Sequence, residues 1–87
     1  MYPFDGQRPQ IDYPCSWPYR IICSDEAALR SSISLIVGTA EHTIAGVGGS
    51  ASGKYVRLEL VVVVRDEAHR NQIFAALGSA PTVRFVL

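Results

Sequence analysis

Net charge, metal-binding side chains and long apolar runs are all scarce in this chain. Eight basic and eight acidic residues cancel to a formal net charge of zero. Nucleic-acid-binding modules usually carry a positive excess on one face, because neutralising phosphates supplies much of their affinity. The charge balance therefore disfavours a nucleic-acid partner.

The chain also lacks the features of a membrane-inserted or exported protein. No apolar run reaches the roughly 18 residues that a spanning helix needs, and the first residues show no basic segment followed by an apolar one. We therefore expect a cytoplasmic protein with no membrane partner. In that compartment the two cysteines, Cys15 and Cys23, are expected to be free thiols.

Side chains for metal binding or catalysis are few and scattered. His42 and His69 are the only histidines, and neither lies at ligand spacing from a cysteine. A nucleophilic Cys15 or Ser24 would need a base and an orienting group, which the sequence does not identify. We predict no metal, no cofactor and no enzymatic activity.

The chain divides into a leader and one domain, since 87 residues leave room for a single core. Residues 1–16 contain three of the five prolines, which disfavour both helix and strand pairing. Residues 17–87 carry regular apolar patterns. We therefore predict a proline-rich leader over 1–16 and a folded domain over 17–87.

Six elements follow from those patterns. Residues 19–23 and 56–64 alternate with period two, as strands do. Ser24 or Asp25 is placed to cap the start of a first helix, which Gly38 ends. Asp66 is placed to cap the start of a second helix, which Gly78 ends. The inward stripes are predicted to be Leu29, Ile33, Ile36, Val37 and Ala40 in the first helix, and Ile73, Phe74 and Leu77 in the second.

A weak, glycine-containing edge strand over residues 42–51, a hairpin at 50–53 and a last strand at 83–87 complete the order βαββαβ. Right-handed crossovers then give an α+β, ferredoxin-like two-layer sandwich. Its four-stranded antiparallel sheet has the order 4-1-3-2, with two helices on one face.

Alternation divides the sheet residues between a covered and an open face. The side chains predicted to face the helices are Tyr19, Ile21, Cys23, Val56, Leu58, Leu60, Val62, Val83 and Phe85. Those predicted on the open face, as a candidate interface, are Arg20, Arg57, Glu59, Val61, Val63, Arg84 and Val86.

The open face carries both charge and hydrocarbon. Arg20 is expected to lie beside Glu59, as an exposed ion pair or as part of a carboxylate-binding site. The valines make residues 60–64 apolar on both sides, so the strand requires cover on both faces. That cover is either the leader or a second copy of the protein, which predicts a protein partner or self-association.

A second candidate site, for a small molecule, lies where the first strand ends. The topology brings the start of the first helix and the glycine-rich hairpin to the same end of the sheet, where helix amides favour anions. With Asp25 at that helix start, a zwitterionic amino acid fits better than a phosphate. The candidate ligand-binding residues are Cys23, Ser24, Asp25, Gly48, Gly49 and Gly53.

Two nucleotide-related patterns are incomplete. Residues 48–54 have the glycine and lysine spacing of a P-loop, but Tyr55 replaces the required Ser or Thr and a strand follows in place of a helix. Tyr55 also lies on a strand like the stacking strand of RNA-recognition modules, which carry several aromatics there. RNA binding is the third function considered.

Residues 13–22, the hairpin around Gly53 and the closing segment 83–87 resemble the YbeD-like family of small bacterial proteins of unknown function. The resemblance covers residues 13–87 and implies a fold similar to the ACT regulatory domain, an amino-acid-sensing module. It implies a stand-alone regulatory or interaction module, with an amino-acid sensor as the alternative. Family members tend to have glycine where this chain has Cys23, at the position where an ACT-type ligand approaches the backbone.

Overall fold

A computed structural model describes residues 11–49 and 53–87. The elements are β1 (Cys15–Cys23), α1 (Glu26–Val37), β2 (His42–Gly49), β3 (Val56–Val64), α2 (Glu67–Ser79) and β4 (Val83–Val86). The strands form one antiparallel sheet in the order β2-β3-β1-β4. This order equals 4-1-3-2 read from the other edge, so the predicted βαββαβ sandwich is confirmed.

The central strands β1 and β3 pair along nine residues, from Cys15 opposite Val64 to Cys23 opposite Val56. β1 thus begins two residues inside the predicted leader, whose residues 1–10 lie outside the described part of the chain. The paired side chains on one face join both helices in a single core. Its buried members are Tyr19, Ile21, Cys23, Leu29, Ile33, Val37, Leu58, Leu60, Val62, Val64, Ile73 and Leu77.

Helix α1 follows its predicted signals closely. The Asp25 carboxylate accepts a hydrogen bond from the Ala28 amide at 3.1 Å, which satisfies one free donor at the helix start. Gly38 ends the helix with φ at 59°, a left-handed conformation that favours glycine. The side chains of Leu29, Ile33 and Val37 face the core.

Helix α2 begins as predicted, at Asp66, whose carboxylate accepts a hydrogen bond from the His69 amide at 2.7 Å. Its inward stripe differs. His69, Ile73 and Leu77 are buried at four-residue spacing, and Phe74, one position further round the helix, is 48% exposed. The prediction that Phe74 belongs to the core stripe is therefore wrong.

The end of α2 also differs from the prediction. The helix continues through Gly78 to Ser79, and Ala80 adopts an extended conformation with φ −69° and ψ 146°. Pro81 follows, and proline disfavours the helical conformation in the residue before it. Pro81, and not Gly78, therefore accounts for the helix end.

A bulge in β4 reverses the predicted facing of two residues. Val83 pairs with Cys23 and Phe85 pairs with Ile22, so Arg84 is an extra residue in the ladder. Val86 consequently packs against the core, and Phe85 lies on the open face with 52% exposure. The predictions of Phe85 as a core residue and Val86 as an open-face residue are wrong for this reason.

Candidate functional site: the open face of the sheet

The strand register arranges the open-face side chains in two neighbouring rows. Ile22 pairs with Arg57 on one side and with Phe85 on the other. Arg20 pairs with Glu59 on one side, and on the other it exchanges two backbone hydrogen bonds with Leu87, of 3.1 and 2.8 Å. These rows cross the sheet and place apolar groups beside charged ones.

Between the rows lies a groove of about 350 Å³, which we call the open-face groove. A cavity of this volume is at the lower end of the range of ligand sites in proteins. Its lining residues are Arg20, Ile21, Ile22, Val47, Arg57, Leu58, Glu59, Phe85 and Leu87. The sequence predicted Arg20, Arg57 and Glu59 among them.

The sequence did not predict the apolar rim of the groove, which consists of Val47, Phe85 and Leu87. Six large apolar side chains are exposed among the described residues, and three of them, Val47, Phe85 and Leu87, line this one groove. Single exposed apolar side chains are ordinary, but grouped ones mark a binding surface. The alternation of β4 pointed Phe85 to the core, and no sequence signal indicated the bulge that turns it outward.

The charges of the groove are only partly compensated. Arg20 Nε lies 3.8 Å from Glu59 Oε2, at side-chain exposures of 76% and 34%, which confirms the expected neighbours but makes a weak pair. Arg57 is exposed and has no acidic partner among the described residues. Two guanidinium groups thus face one carboxylate.

Gly48 lies beside the Arg57 side chain. It pairs with Arg57 at a bulge in β2 and has φ at 118°, which side chains rarely adopt. A Cβ atom at this position would lie 3.9 Å from Arg57 Nη2. That distance is an ordinary van der Waals contact, so the positive φ of the bulge, and not a lack of space, explains the glycine.

The other predicted interface residues lie around the groove. The guanidinium carbon of Arg84 is 6.0 Å from the centre of the Tyr55 ring, at the limit of a cation–π contact. Val61 and Val63 are half-buried and pair with Pro18 and Ser16, further along the sheet. They continue the open face but do not line the groove.

The residues of the predicted small-molecule site that the structure describes lie at one end of the sheet. Cys23 pairs with Val56, and Val56 with Gly49, so the end of β1 and the glycines of β2 share one end of the sheet. Gly53 is exposed with φ at 74°. The hairpin residues 50–52 between them lie outside the described residues.

The groups at that end of the sheet are buried or form hydrogen bonds within the protein. Cys23 is fully buried on the core side, and burial raises the pKa of its thiol. The Ser24 amide and hydroxyl donate to the Thr82 carbonyl at 2.9 and 3.4 Å, and the Thr82 hydroxyl donates to the Asp25 carbonyl at 3.4 Å. With the Asp25 carboxylate capping α1, the Cys23, Ser24 and Asp25 side chains of this corner are each buried or hydrogen-bonded within the protein.

Both histidine rings interact with backbone groups. His42 Nδ1 lies 2.9 Å from the Ala40 carbonyl oxygen, and His69 Nδ1 accepts a hydrogen bond from the Arg65 amide at 3.0 Å. Across residues 11–49 and 53–87 no three His, Cys, Asp or Glu side chains are grouped so that they could hold a metal ion. Within the same residues no helix is both long and apolar enough to cross a membrane.

One polar cluster on the helix side was not predicted. The Tyr19 hydroxyl donates to the Arg70 carbonyl at 2.7 Å, and the Arg70 guanidinium lies 4.4 Å from the centre of the Trp17 ring. Burial raises the pKa of Tyr19 to about 12. These contacts fix α2 to β1, and only the three-dimensional pairing of the two elements brings them together.

The fold defines a small ferredoxin-like α+β protein, and its sheet surface opposite the helices combines apolar and charged groups. The chain belongs to the family described as protein of unknown function (DUF493), whose profile matches residues 8–87. This membership agrees with the resemblance to YbeD-like proteins.

Relatives and solved structures are similar to this chain over nearly its whole length. The chain is 33% identical over 81 residues to the uncharacterized protein Cj0253 of Campylobacter jejuni, covering 93% of this chain and 91% of that protein. It is 28% identical over 87 residues to an uncharacterized protein of Helicobacter pylori, covering 98% and 99%. The solution structure of HP0495 from H. pylori is similar with a TM-score of 0.84 and 25% identity, over 100% of this chain and 96% of that one.

Proposed function

We propose that this protein is a non-enzymatic interaction module that binds a protein partner through the open face of its sheet. The observation that carries the proposal is the open-face groove, where half of the exposed large apolar side chains of the described residues meet two guanidinium groups and one carboxylate. Aromatic and arginine side chains are enriched at protein interfaces.

The lining of the groove favours binding over catalysis. It contains guanidinium, carboxylate and hydrocarbon groups but no hydroxyl, thiol, amine or imidazole side chain. The lining therefore offers no side-chain nucleophile for the carboxylate to activate. The regulatory role and the cytoplasmic location remain part of this proposal.

An amino-acid sensor of the ACT type receives less support. Its predicted site depends on the corner formed by Cys23, Ser24 and Asp25, where the thiol is buried and the other groups pair with Thr82 or with α1.

RNA binding requires aromatic rings free for stacking. Phe85 is one such ring on the open face. The ring of Tyr55 is already in contact with the Arg84 guanidinium group, which makes RNA stacking a weaker proposal.

Site-specific photo-cross-linking in the source cells tests the proposal. A photoreactive phenylalanine analogue at Phe85 probes the open face, and the same analogue at Leu35 of α1 is the control. Leu35 is 86% exposed and Phe85 is 52% exposed, so exposure alone would favour adducts from the helix layer. We expect protein adducts from position 85 and few from position 35.

Equal yields from both positions would contradict the proposed function, and so would adducts at position 85 with nucleic acid alone. A purified protein incubated with amino acids provides the second arm. A thermal shift with one amino acid that Arg57→Gln does not reduce would point to the sensor in place of the interaction module, since ligand binding stabilises the folded state.

A further inference from the structure

The open-face groove has a shape and charge that define the partner's chemistry more closely. Resting on the proposed function, we infer that the partner segment is an extended peptide with an acidic residue two positions from a large apolar residue on each side. The recognised pattern is apolar-x-acidic-x-apolar, with the acidic side chain facing the guanidinium groups.

The length of the groove sets the spacing of this pattern. Its apolar ends are Val47 on β2 and Phe85 on β4, the two edge strands of the sheet. Three interstrand spacings separate them, which is about 14 Å. Side chains at positions i and i+4 of an extended peptide point the same way and lie about 13.5 Å apart. A peptide crossing the strands therefore reaches both ends with its first and fifth residues.

The charges set the identity of the middle residue. Position i+2 of such a peptide lies about 7 Å from its first residue, above the boundary between β3 and β1. Arg57 on β3 and Arg20 on β1 are the side chains on either side of that boundary, since Arg57 pairs with Ile22, two residues from Arg20. A carboxylate at i+2 would meet both, since Glu59, which lies opposite Arg20, offsets only one of these two positive charges. A guanidinium group binds a carboxylate with two parallel hydrogen bonds.

The same charges disfavour a second copy of the chain on this surface. Three arginines, Arg20, Arg57 and Arg84, and one carboxylate, Glu59, occupy the predicted interface. A symmetric dimer brings two copies of the same patch together, so each copy would meet the same excess of positive charge. A segment with an acidic centre neutralises the excess and leaves its apolar side chains for Phe85, Leu87 and Val47.

Fluorescence anisotropy with a defined probe tests the inference. The probe is a peptide with the core Leu-Ser-Glu-Ser-Phe, flanked by Gly-Ser, with fluorescein at its N-terminus and an amide at its C-terminus. Two comparison peptides carry Gln in place of Glu, or move the Glu one position to give Leu-Glu-Ser-Ser-Phe. We expect the probe to bind the full chain and both comparison peptides to bind about tenfold more weakly.

Matched protein variants locate the binding. Arg57→Gln and Phe85→Ser are each expected to weaken binding about tenfold, because the first removes a guanidinium group that meets the acidic residue and the second removes one apolar end of the groove. Arg30→Gln and Leu35→Ser make the same chemical changes on the exposed face of α1 and are expected to leave the affinity unchanged. The comparison peptides keep the test decisive even where a variant folds poorly.

Three results would overturn the inference: no binding up to millimolar protein, equal affinity for the Glu and Gln peptides, or tighter binding of a ten-nucleotide U-rich RNA that the probe displaces. A dimer in sedimentation that Phe85→Ser dissociates would be a fourth contrary result, because it would assign the groove to a second copy. If the peptide fails but cross-links from position 85 still identify a protein, the chemistry inferred for the partner is wrong while the interaction function stands. If both fail, neither stands.

Discussion

The two faces of the β1–β3 pair differ sharply in exposure. On one face the side chains of Tyr19, Leu58 and Leu60 are at most 1% exposed. On the other face, one residue away, the side chain of Arg20 is 76% exposed. The same strands therefore carry the folding energy on one face and the candidate binding surface on the other, and each can be changed without the other.

The largest effect is expected where a core side chain is shortened. Leu60→Ala removes a fully buried side chain and is expected to lower the free energy of unfolding by about 2–5 kcal/mol. Val61→Ala, next to it on the open face, is expected to cost about 1 kcal/mol or less, because Val61 is only half-buried. Urea denaturation of both variants measures the difference. Equal losses would show that the open face is packed as tightly as the core.

The next effect concerns the bond that fixes α2 over the covered face. Tyr19→Phe removes the hydroxyl that donates to the Arg70 carbonyl, at an expected cost of about 1 kcal/mol at pH 8. Burial raises the pKa of Tyr19 to about 12 in the folded protein, above its ordinary value of 10.0. The folded state thus holds the proton more tightly than the unfolded chain, and this stabilisation is complete below pH 10 and lost as the pH rises towards 12.

Urea denaturation of the parent and of Tyr19→Phe across pH 8–12 isolates this contribution, since the other tyrosines are common to both. The parent is expected to be the more stable protein at pH 8 and to lose that advantage above pH 10. A difference that does not change with pH would show that the Tyr19 hydroxyl is not buried.

A comparable effect is expected at the start of α2. Asp66→Ala removes the carboxylate that accepts from the His69 amide and is expected to cost about 1 kcal/mol. Asp66→Asn is the control, because asparagine caps helices nearly as well. A loss in Asp66→Asn as large as in Asp66→Ala would assign the effect to charge and not to the cap.

The smallest effect is expected for the charged pair on the open face. A double-mutant cycle on Arg20 and Glu59 is expected to give a coupling energy below about 1 kcal/mol that falls with added salt, since the pair is exposed and separated by 3.8 Å. A coupling of several kcal/mol would place these charges in a structural role. The groove would then be part of the fold and not a surface open to a partner.

Local signals in the sequence were sufficient for most of the fold. The period-two patterns of β1 and β3, the caps at Asp25 and Asp66 and the stop at Gly38 depend on neighbouring residues, and all were predicted. The pairing of Arg20 with Glu59 followed from the antiparallel register. These features need no knowledge of distant contacts.

The predictions failed where a distant contact or a single extra residue determines which way a side chain faces. The bulge at Arg84 exchanges the faces of Phe85 and Val86, and nothing in the alternation of residues 83–87 reports it. The loop containing Thr82 closes over Ser24, although 58 positions separate these two residues. The candidate groove was therefore predicted in its charges, which lie on the long central strands, and missed in its apolar rim, which lies on the edge strands and at Leu87.

Hydroxyl-radical footprinting, carried out on intact cells and on the purified protein, tests most directly whether the open face is a binding surface. The account predicts that oxidation of Phe85 falls in cells relative to the purified protein, because a partner covers that ring, while oxidation of Leu35 on α1 stays the same. Phe85 and Leu35 oxidised in the same ratio in both preparations would contradict the account.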